Sequence, residues 1–360
     1  MGQKTEAMQQ HEIIGYTKSG AAFERTQHPD AQWFFEPTKL GLFIHFGIST
    51  VHGDCDISWG MMDNPERRAK GNGIMTPHDY WEQAKVFDPK KFDPERWLYA
   101  IKEAGFTYAV LTTRHHDGYA LWPSDAGDFN TKNYMHGRDI VGEYVKACRA
   151  VGLKVGLYYS PPDWYINQKY MSFMSGSRSE KYPDRPNKGI YHEEIGDIPE
   201  MPAEHYERYA EYVSAQTREL LTRYGKIDDL WFDGTVKDTS KVITIDEIRR
   251  LQPGIVVNDR LWGVGDYNTT YECHLPKERP EDKYWEACEG WHVGGGWSYV
   301  RNADKFRSLD YVMSHYDLVR RFEGNYMLNI APDRDGVVPE GFYSALREFT
   351  DKAKEVYGSI

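Results

Sequence analysis

The chain has 360 residues, 40% of them hydrophobic and 28% charged, with a formal net charge of −11. Its length suffices for one barrel-sized domain of roughly 250 residues plus insertions, and its composition is that of an ordinary globular protein rather than a disordered or fibrous one. The acidic balance disfavours nucleic acid and anionic membrane surfaces as partners, and no run of about 18 apolar residues marks a membrane span.

The N-terminal stretch MGQKTEAMQQHEIIGYTKSG lacks the apolar segment of a secretory leader. The expectation is a cytoplasmic protein or a chain whose leader has been removed, so the compartment stays open. Residues 1–30 read as a weakly structured extension and residues 31–360 as one domain. Along that domain, short apolar, β-branched or aromatic runs end in polar residues: GLFIHFG (41–47), TYAVLTTRHHDG (107–118), LKVGLYYS (153–160), IDDLWFDG (227–234), GIVVNDR (254–260) and NYMLNIAP (325–332). Such continuous runs suit strands of a parallel sheet buried on both faces.

Helical stripes lie between them. Trp97, Leu98, Ile101 and Ala104 recur at helical spacing after Asp93-Pro94, which reads as an N-cap followed by a first-turn proline. Ile140, Val141, Tyr144, Val145, Cys148 and Val151 form a second stripe closed by Gly152. A third, from Tyr206 to Tyr224, is closed by Gly225. Residues 161–204 have no clean periodicity and read as a functional lid or insertion. The glycine cluster at 293–297 reads as a flexible loop. Cys55, Cys148, Cys273 and Cys288 show no CxxC spacing, which argues against a zinc ribbon or redox motif and leaves two disulfides open.

Alternating strands and helices predict an α/β protein. His45, His115, His116, Tyr159, Asp233 and Arg260 fall at or just past the C-terminal ends of different strands, where (β/α)8 barrels build their sites. The expected fold is therefore a (β/α)8 TIM-like barrel, with no C-terminal β-sandwich evident. Aromatic content of 14% suits a ligand with apolar C–H faces, such as a pyranose.

Glycoside hydrolysis needs two carboxyl groups flanking the scissile bond. Asp233, ending the run Leu230-Trp231-Phe232 and followed by Gly234, is the first candidate. Glu272, Glu286 and Glu289 are candidates for the second, since a general acid needs a carboxyl pKa raised by an apolar surround or a nearby carboxylate. His115-His116 suits hydroxyl recognition where a strand ends or kinks. The rival is a metal centre from His45, His115, His116 and Asp233, against which the sequence lacks the HxH pair of hydrolytic metal barrels.

Seven blocks in order resemble glycoside hydrolase family 29, the α-L-fucosidase family: Lys39-x-Gly41-x-Phe43-x-His45-x-Gly47, His115-His116-Asp117-Gly118 with Trp122-Pro123-Ser124, Asp128-Phe129-Asn130, Gly156-x-Tyr158-Tyr159-Ser160, Leu230-Trp231-Phe232-Asp233, Asn258-Asp259-Arg260 and Leu328-Asn329-x-x-Pro332. The resemblance implies a retaining exo-α-L-fucosidase that acts on a fucosylated oligosaccharide or glycoconjugate, with no cofactor and no metal. It places Asp233 as the nucleophile and Glu272 as the acid/base, with Glu286 the alternative. It places His45, Trp59, His115, His116, Tyr159, Trp231 and Arg260 around the terminal sugar. Members of the family are often secreted, periplasmic or lysosomal. Where many members carry Glu-Trp, this chain has Ser58-Trp59; the missing carboxylate is expected to shift preference towards a sugar such as L-galactose, or to be replaced by Asp54 or Asp56.

Overall fold

The computed structural model describes residues 23–65, 73–174, 184–300 and 302–358. Among these residues ten strands run in chain order: β1 (Leu40–Ile44), β2 (Tyr108–Arg114), β3 (Lys154–Tyr159), β4 (Asn187–Lys188), β5 (Glu194–Ile195), β6 (Asp229–Phe232), β7 (Val256–Val257), β8 (Asn268–Glu272), β9 (Trp285–Gly290) and β10 (Asn325–Ile330). Eight of them form one parallel sheet in the order β7-β6-β3-β2-β1-β10-β9-β8, and β4 and β5 form a small hairpin within the 161–204 insertion. The edge strands β7 and β8 are consecutive in sequence, and a parallel bridge from Asn258 to Tyr267 links them. The sheet is thus a curled eight-stranded parallel array of the (β/α)8 class, as expected. The six anticipated runs became β1, β2, β3, β6, β7 and β10, whereas β8 and β9 were not anticipated.

Every residue of β1, β2 and β10 is buried, because helices cover the outside while side chains fill the inside. The helix Pro94–Glu103 begins at the anticipated proline and buries Trp97, Leu98 and Ile101. In Ile140–Val151 the Asp139 side chain accepts from the Gly142 N–H, and Gly152 ends the helix at φ 76°, a left-handed conformation that costs glycine little. The long helix Ala203–Arg223 then leads to β6.

Residues 1–22 of the expected extension lie outside the described residues. Residues 25 and 26 are tied down: the Thr26 N–H donates to Asp266 Oδ1 at 2.7 Å, and Arg25 Nε donates to the Asp266 carbonyl. The short helix Pro29–Phe34 that follows packs Phe34 against Tyr267 (4.2 Å between ring centroids) and Tyr108 (5.9 Å), at the N-terminal ends of the strands. None of the four cysteines, all of them described, is joined in a disulfide. Among the described residues no helix is long and apolar enough to cross a membrane.

One close approach constrains the barrel interior. A Cβ on Gly41 of β1 would sit 2.2 Å from Tyr108 Cζ, so the glycine makes room for the tyrosine ring of β2. Gly41→Ala is expected to destabilise the fold by about 1–3 kcal/mol through overpacking; a chemical-denaturation midpoint equal to that of the parent would show that the ring can move aside freely.

Candidate active site

Strand alternation decides which side chains reach the barrel mouth. Asp229, Trp231 and Asp233 share the inner side of β6 and the residue after it, and Tyr158 of β3 lies opposite. Asp233 is the centre of the site: the Tyr158 hydroxyl donates to its Oδ2 at 2.6 Å, and Arg260 Nη1 donates to its Oδ1 at 2.7 Å. His116 Nε2 stands 3.4 Å from Oδ2, at the edge of hydrogen-bonding distance, and His115 Nε2 stands at 4.0 Å. Burial works to raise the Asp233 pKa, but Arg260, His116 and His115 outweigh it and hold the carboxyl well below the usual carboxylate range.

Arg260, just past β7, is 1% exposed and reaches both acids. Its Nη2 donates to Glu272 Oε2 at 2.5 Å, while Thr269 fixes the rest of the guanidinium through its hydroxyl and carbonyl, each at 3.1 Å. The guanidinium also lies over the Trp231 ring, 4.3 Å from its centroid.

The histidines occupy the neighbouring strand ends. β2 ends at Arg114 after a register shift, so His115 and His116 lie beyond regular pairing and both approach Asp233. His45 Nδ1 bonds Asn329 Oδ1 at 2.7 Å, and burial pushes its pKa down to about 4, leaving a neutral imidazole at neutral pH. His115 Nδ1 bonds the Ser58 hydroxyl at 2.6 Å, and His116 Nδ1 bonds the Ser160 hydroxyl at 2.5 Å. One donor atom each from His115, His116 and Asp233 lies within 4.8 Å of the others, close enough for a metal ion. The chemistry of the set opposes one: Arg260 and Tyr158 already engage both Asp233 oxygens, and a dication there would face the fixed guanidinium.

These groups surround a cleft with about 310 Å³ of empty space, part of it open to solvent. Of the residues expected at the site, His45, Trp59, His115, Trp231, Asp233, Arg260 and Glu272 line it; His116 lies behind them, edge-on to Trp59. Tyr159 is corrected. Alternation turns it to the outer face, where its hydroxyl donates to Gln216 and its ring lies under Arg114, and Tyr158 takes the pocket position. Glu289 likewise faces outward, towards Tyr311 and His315 at 2.7 Å each and Tyr326. Glu286 faces inward but below the pocket, accepting from Trp231 Nε1 at 3.0 Å and from the Tyr108 hydroxyl.

Phe43, Tyr158 and Trp297 were missed as pocket residues. Parity along Gly156-x-Tyr158 and Gly41-x-Phe43-x-His45 could have revealed the first two. Trp297 sits in the glycine-rich loop read as flexible, yet that loop is anchored: Asp56 accepts from the Trp297 and Ser298 N–H groups at 2.7 and 3.1 Å, and Asn329 Nδ2 donates to the Trp297 carbonyl at 2.7 Å. Asp56 is therefore committed to the loop. Ser58 is equally committed, accepting from the Asp117 N–H as well as bonding His115.

Residues 4–354 match the family model described as Alpha-L-fucosidase. An alpha-L-fucosidase of Dictyostelium discoideum is 25% identical over 96% of this chain and 76% of its own length. The structure of alpha-L-fucosidase isoenzyme 1 from Paenibacillus thiaminolyticus is 30% identical and superposes with a TM-score of 0.70, covering 91% of this chain and 75% of that one. A family 29 alpha-L-fucosidase from Bacteroides thetaiotaomicron, 25% identical with a TM-score of 0.71 over 96% of this chain and 78% of that one, was trapped as a covalent intermediate with 2-fluoro-fucosyl fluoride.

Burial gives the site a stability signature. It raises the Glu286 pKa from 4.5 to about 7 despite bonds from Tyr108 and Trp231. A carboxyl whose folded pKa is raised contributes stability that is fully present below its unfolded pKa and lost as pH rises through the folded one. Asp117, raised by burial to about 6, acts in the same sense. Glu286→Gln, which cannot ionise, is therefore expected to lose less stability than the parent between pH 4.5 and pH 7.5, with Asp117 and the neighbouring Asp229, which burial and Glu286 push up, leaving a residual slope; urea midpoints that fall equally in both proteins would count against this.

Proposed function

The chain belongs to the alpha-L-fucosidase family of glycoside hydrolases, and from that premise we propose that it is a retaining exo-α-L-fucosidase whose catalytic domain spans residues 31–360. The observation that carries the reading is the Arg260 fork, which donates one nitrogen to Asp233 and the other to Glu272. Two carboxyl groups bonded to one guanidinium face the same pocket, which is in keeping with retention, where the pair stands roughly 5–5.5 Å apart.

In the first step Asp233, kept ionised by Arg260 and Tyr158, attacks the anomeric carbon while Glu272 gives its proton to the departing glycosidic oxygen. The C–O bond to the aglycone breaks with its electron pair and a glycosyl ester forms on Asp233. Glu272 then takes a proton from water, which displaces Asp233 and releases the sugar with its original configuration. No cofactor enters, and the metal reading falls to the guanidinium beside Asp233; full activity after chelation is the expected result.

A compact, partly open cleft walled by Trp59, Trp231 and Trp297 suits one terminal sugar of a fucosylated oligosaccharide or glycoconjugate, hence exo action. Between L-fucose and L-galactose, which differ by a hydroxyl on C6, the aromatic lining of Phe43, Trp59, Trp231 and Trp297 favours the methyl sugar. The covalent intermediate trapped in the Bacteroides thetaiotaomicron relative supports double displacement.

Azide separates the two carboxyl roles on an activated aryl α-L-fucoside. Asp233→Ala should abolish turnover, and azide entering the vacated space should give the β-azide. Glu272→Ala should lose roughly 10²–10⁴-fold on substrates that need an acid, and azide should then give the α-azide from the glycosyl-enzyme. Near-normal turnover by Asp233→Ala would overturn the mechanism.

A further inference from the structure

Below the pocket the barrel holds a second acidic layer that the proposed reaction does not use. Glu286 of β9 is 1% exposed, and both its oxygens are engaged, Oε1 by Trp231 Nε1 at 3.0 Å and Oε2 by the Tyr108 hydroxyl. Asp229 of β6 accepts from the Tyr267 hydroxyl at 2.8 Å, while its other oxygen is buried with no hydrogen-bond partner. Neither acid lines the cavity, so neither is placed to meet a glycosidic oxygen.

What Glu286 does reach is the indole that carries the site. The Trp231 ring bears Arg260 at 4.3 Å and stacks on Tyr158 at 5.6 Å with 15° between planes. Those two side chains are the ones that donate to Asp233, at 2.7 and 2.6 Å. An indole packed only by apolar contacts can tilt about its side-chain torsions; one whose N–H is bonded to a fixed acceptor cannot do so without breaking that bond.

We infer that Glu286 is a positioning residue for the reaction: by accepting from Trp231 Nε1 it fixes the indole plate on which Arg260 and Tyr158 rest, and so the two donors that aim the Asp233 carboxylate. The inference rests on the reading of Asp233 as nucleophile. It makes the acceptor atom the essential feature of Glu286, not its charge or its proton. The groups facing it are Tyr108 from β2, Trp231 and Asp229 from β6, Tyr267 ahead of β8, Arg260 and, on its own strand, Cys288. Asp233 is faced by Arg260, Tyr158, His115, His116 and His45.

The test compares Glu286→Gln, Glu286→Leu, Trp231→Phe and the double variant Glu286→Leu/Trp231→Phe on an aryl α-L-fucoside across pH. Loosened alignment at a nucleophile costs up to about 10²-fold. Glu286→Leu is expected to lose about 10- to 100-fold in kcat with a smaller change in KM. The acidic limb of its kcat/KM profile should move to higher pH, because donors that are no longer aimed stabilise ionised Asp233 less. Glu286→Gln, whose amide oxygen still accepts from Trp231, should recover most of that loss and restore the limb. Trp231→Phe should shift the limb in the same direction, and the double variant should be little worse than the worse single one. If Glu286→Leu does not fold, Trp231→Phe and Glu286→Gln carry the test alone. Parent-like kinetics in Glu286→Leu, an unmoved acidic limb in Trp231→Phe, or losses that multiply in the double variant would each overturn the inference. So would a Glu286→Gln variant as impaired as Glu286→Leu and yielding the α-azide with azide, which would make Glu286 the acid/base. Normal turnover by Asp233→Ala removes the nucleophile reading instead, whatever the Glu286 variants do.

Discussion

A single buried guanidinium sets the terms for the rest of this site. Arg260 is 1% exposed, and a charge so placed is tolerable only with its hydrogen bonds satisfied and opposite charge at hand. Asp233 supplies the charge, Glu272 and Thr269 supply three further acceptors, and Trp231 supplies a ring face. The partners come from β6 and β8 and the arginine from just past β7, so the ion network also ties together these three strands, at the edges of the sheet where one backbone bridge spans β7 and β8. Catalytic electrostatics and the joining of the sheet edges draw on the same residues.

The surrounding architecture follows from parity. A parallel sheet covered by helices sends alternate side chains inward, and one residue of slip would exchange the pocket set for the helix-facing set. On β3 the rule separates Tyr158, which serves Asp233, from Tyr159, which packs with Arg114 and Gln216. On β9 it separates Glu286 and Cys288 inside from Glu289, which bonds Tyr311, His315 and Tyr326 on the helical side. Adjacent histidines escape the rule because β2 has ended: both His115 and His116 turn towards Asp233 where ladder pairing no longer fixes their faces.

The same physics explains what could be read from the sequence. Strands made of apolar runs, such as GLFIHFG and NYMLNIAP, announce themselves by burial on both faces, and the polar residues at strand ends, Asp233, Arg260 and His45, meet in one cleft. β8 and β9 stayed hidden because Asn268–Glu272 and Trp285–Gly290 carry polar residues inside the fold, where partners from distant segments satisfy them. No window of local sequence contains those partners: Glu286 lies 178 residues from Tyr108 and 55 from Trp231. Trp297 was hidden for a related reason. Its glycine-rich surroundings suggest mobility, and the rigidity comes from Asp56, 241 residues away.

The barrel interior also shows how position, not residue type, assigns a carboxyl its role. Asp233 and Glu286 are both buried, and burial raises the pKa of both. Asp233 lies directly on Arg260 and close to two histidines, which reverse the effect and keep it ionised. Glu286 lies one layer lower, where its bonds come from the neutral donors Tyr108 and Trp231, and there burial prevails and carries it to about 7. A nucleophile must be ionised before substrate arrives, whereas a group that only needs to offer an oxygen to an indole N–H can do so in either protonation state. The direct reach of one arginine thus separates Asp233, fit for attack, from Glu286, fit for support.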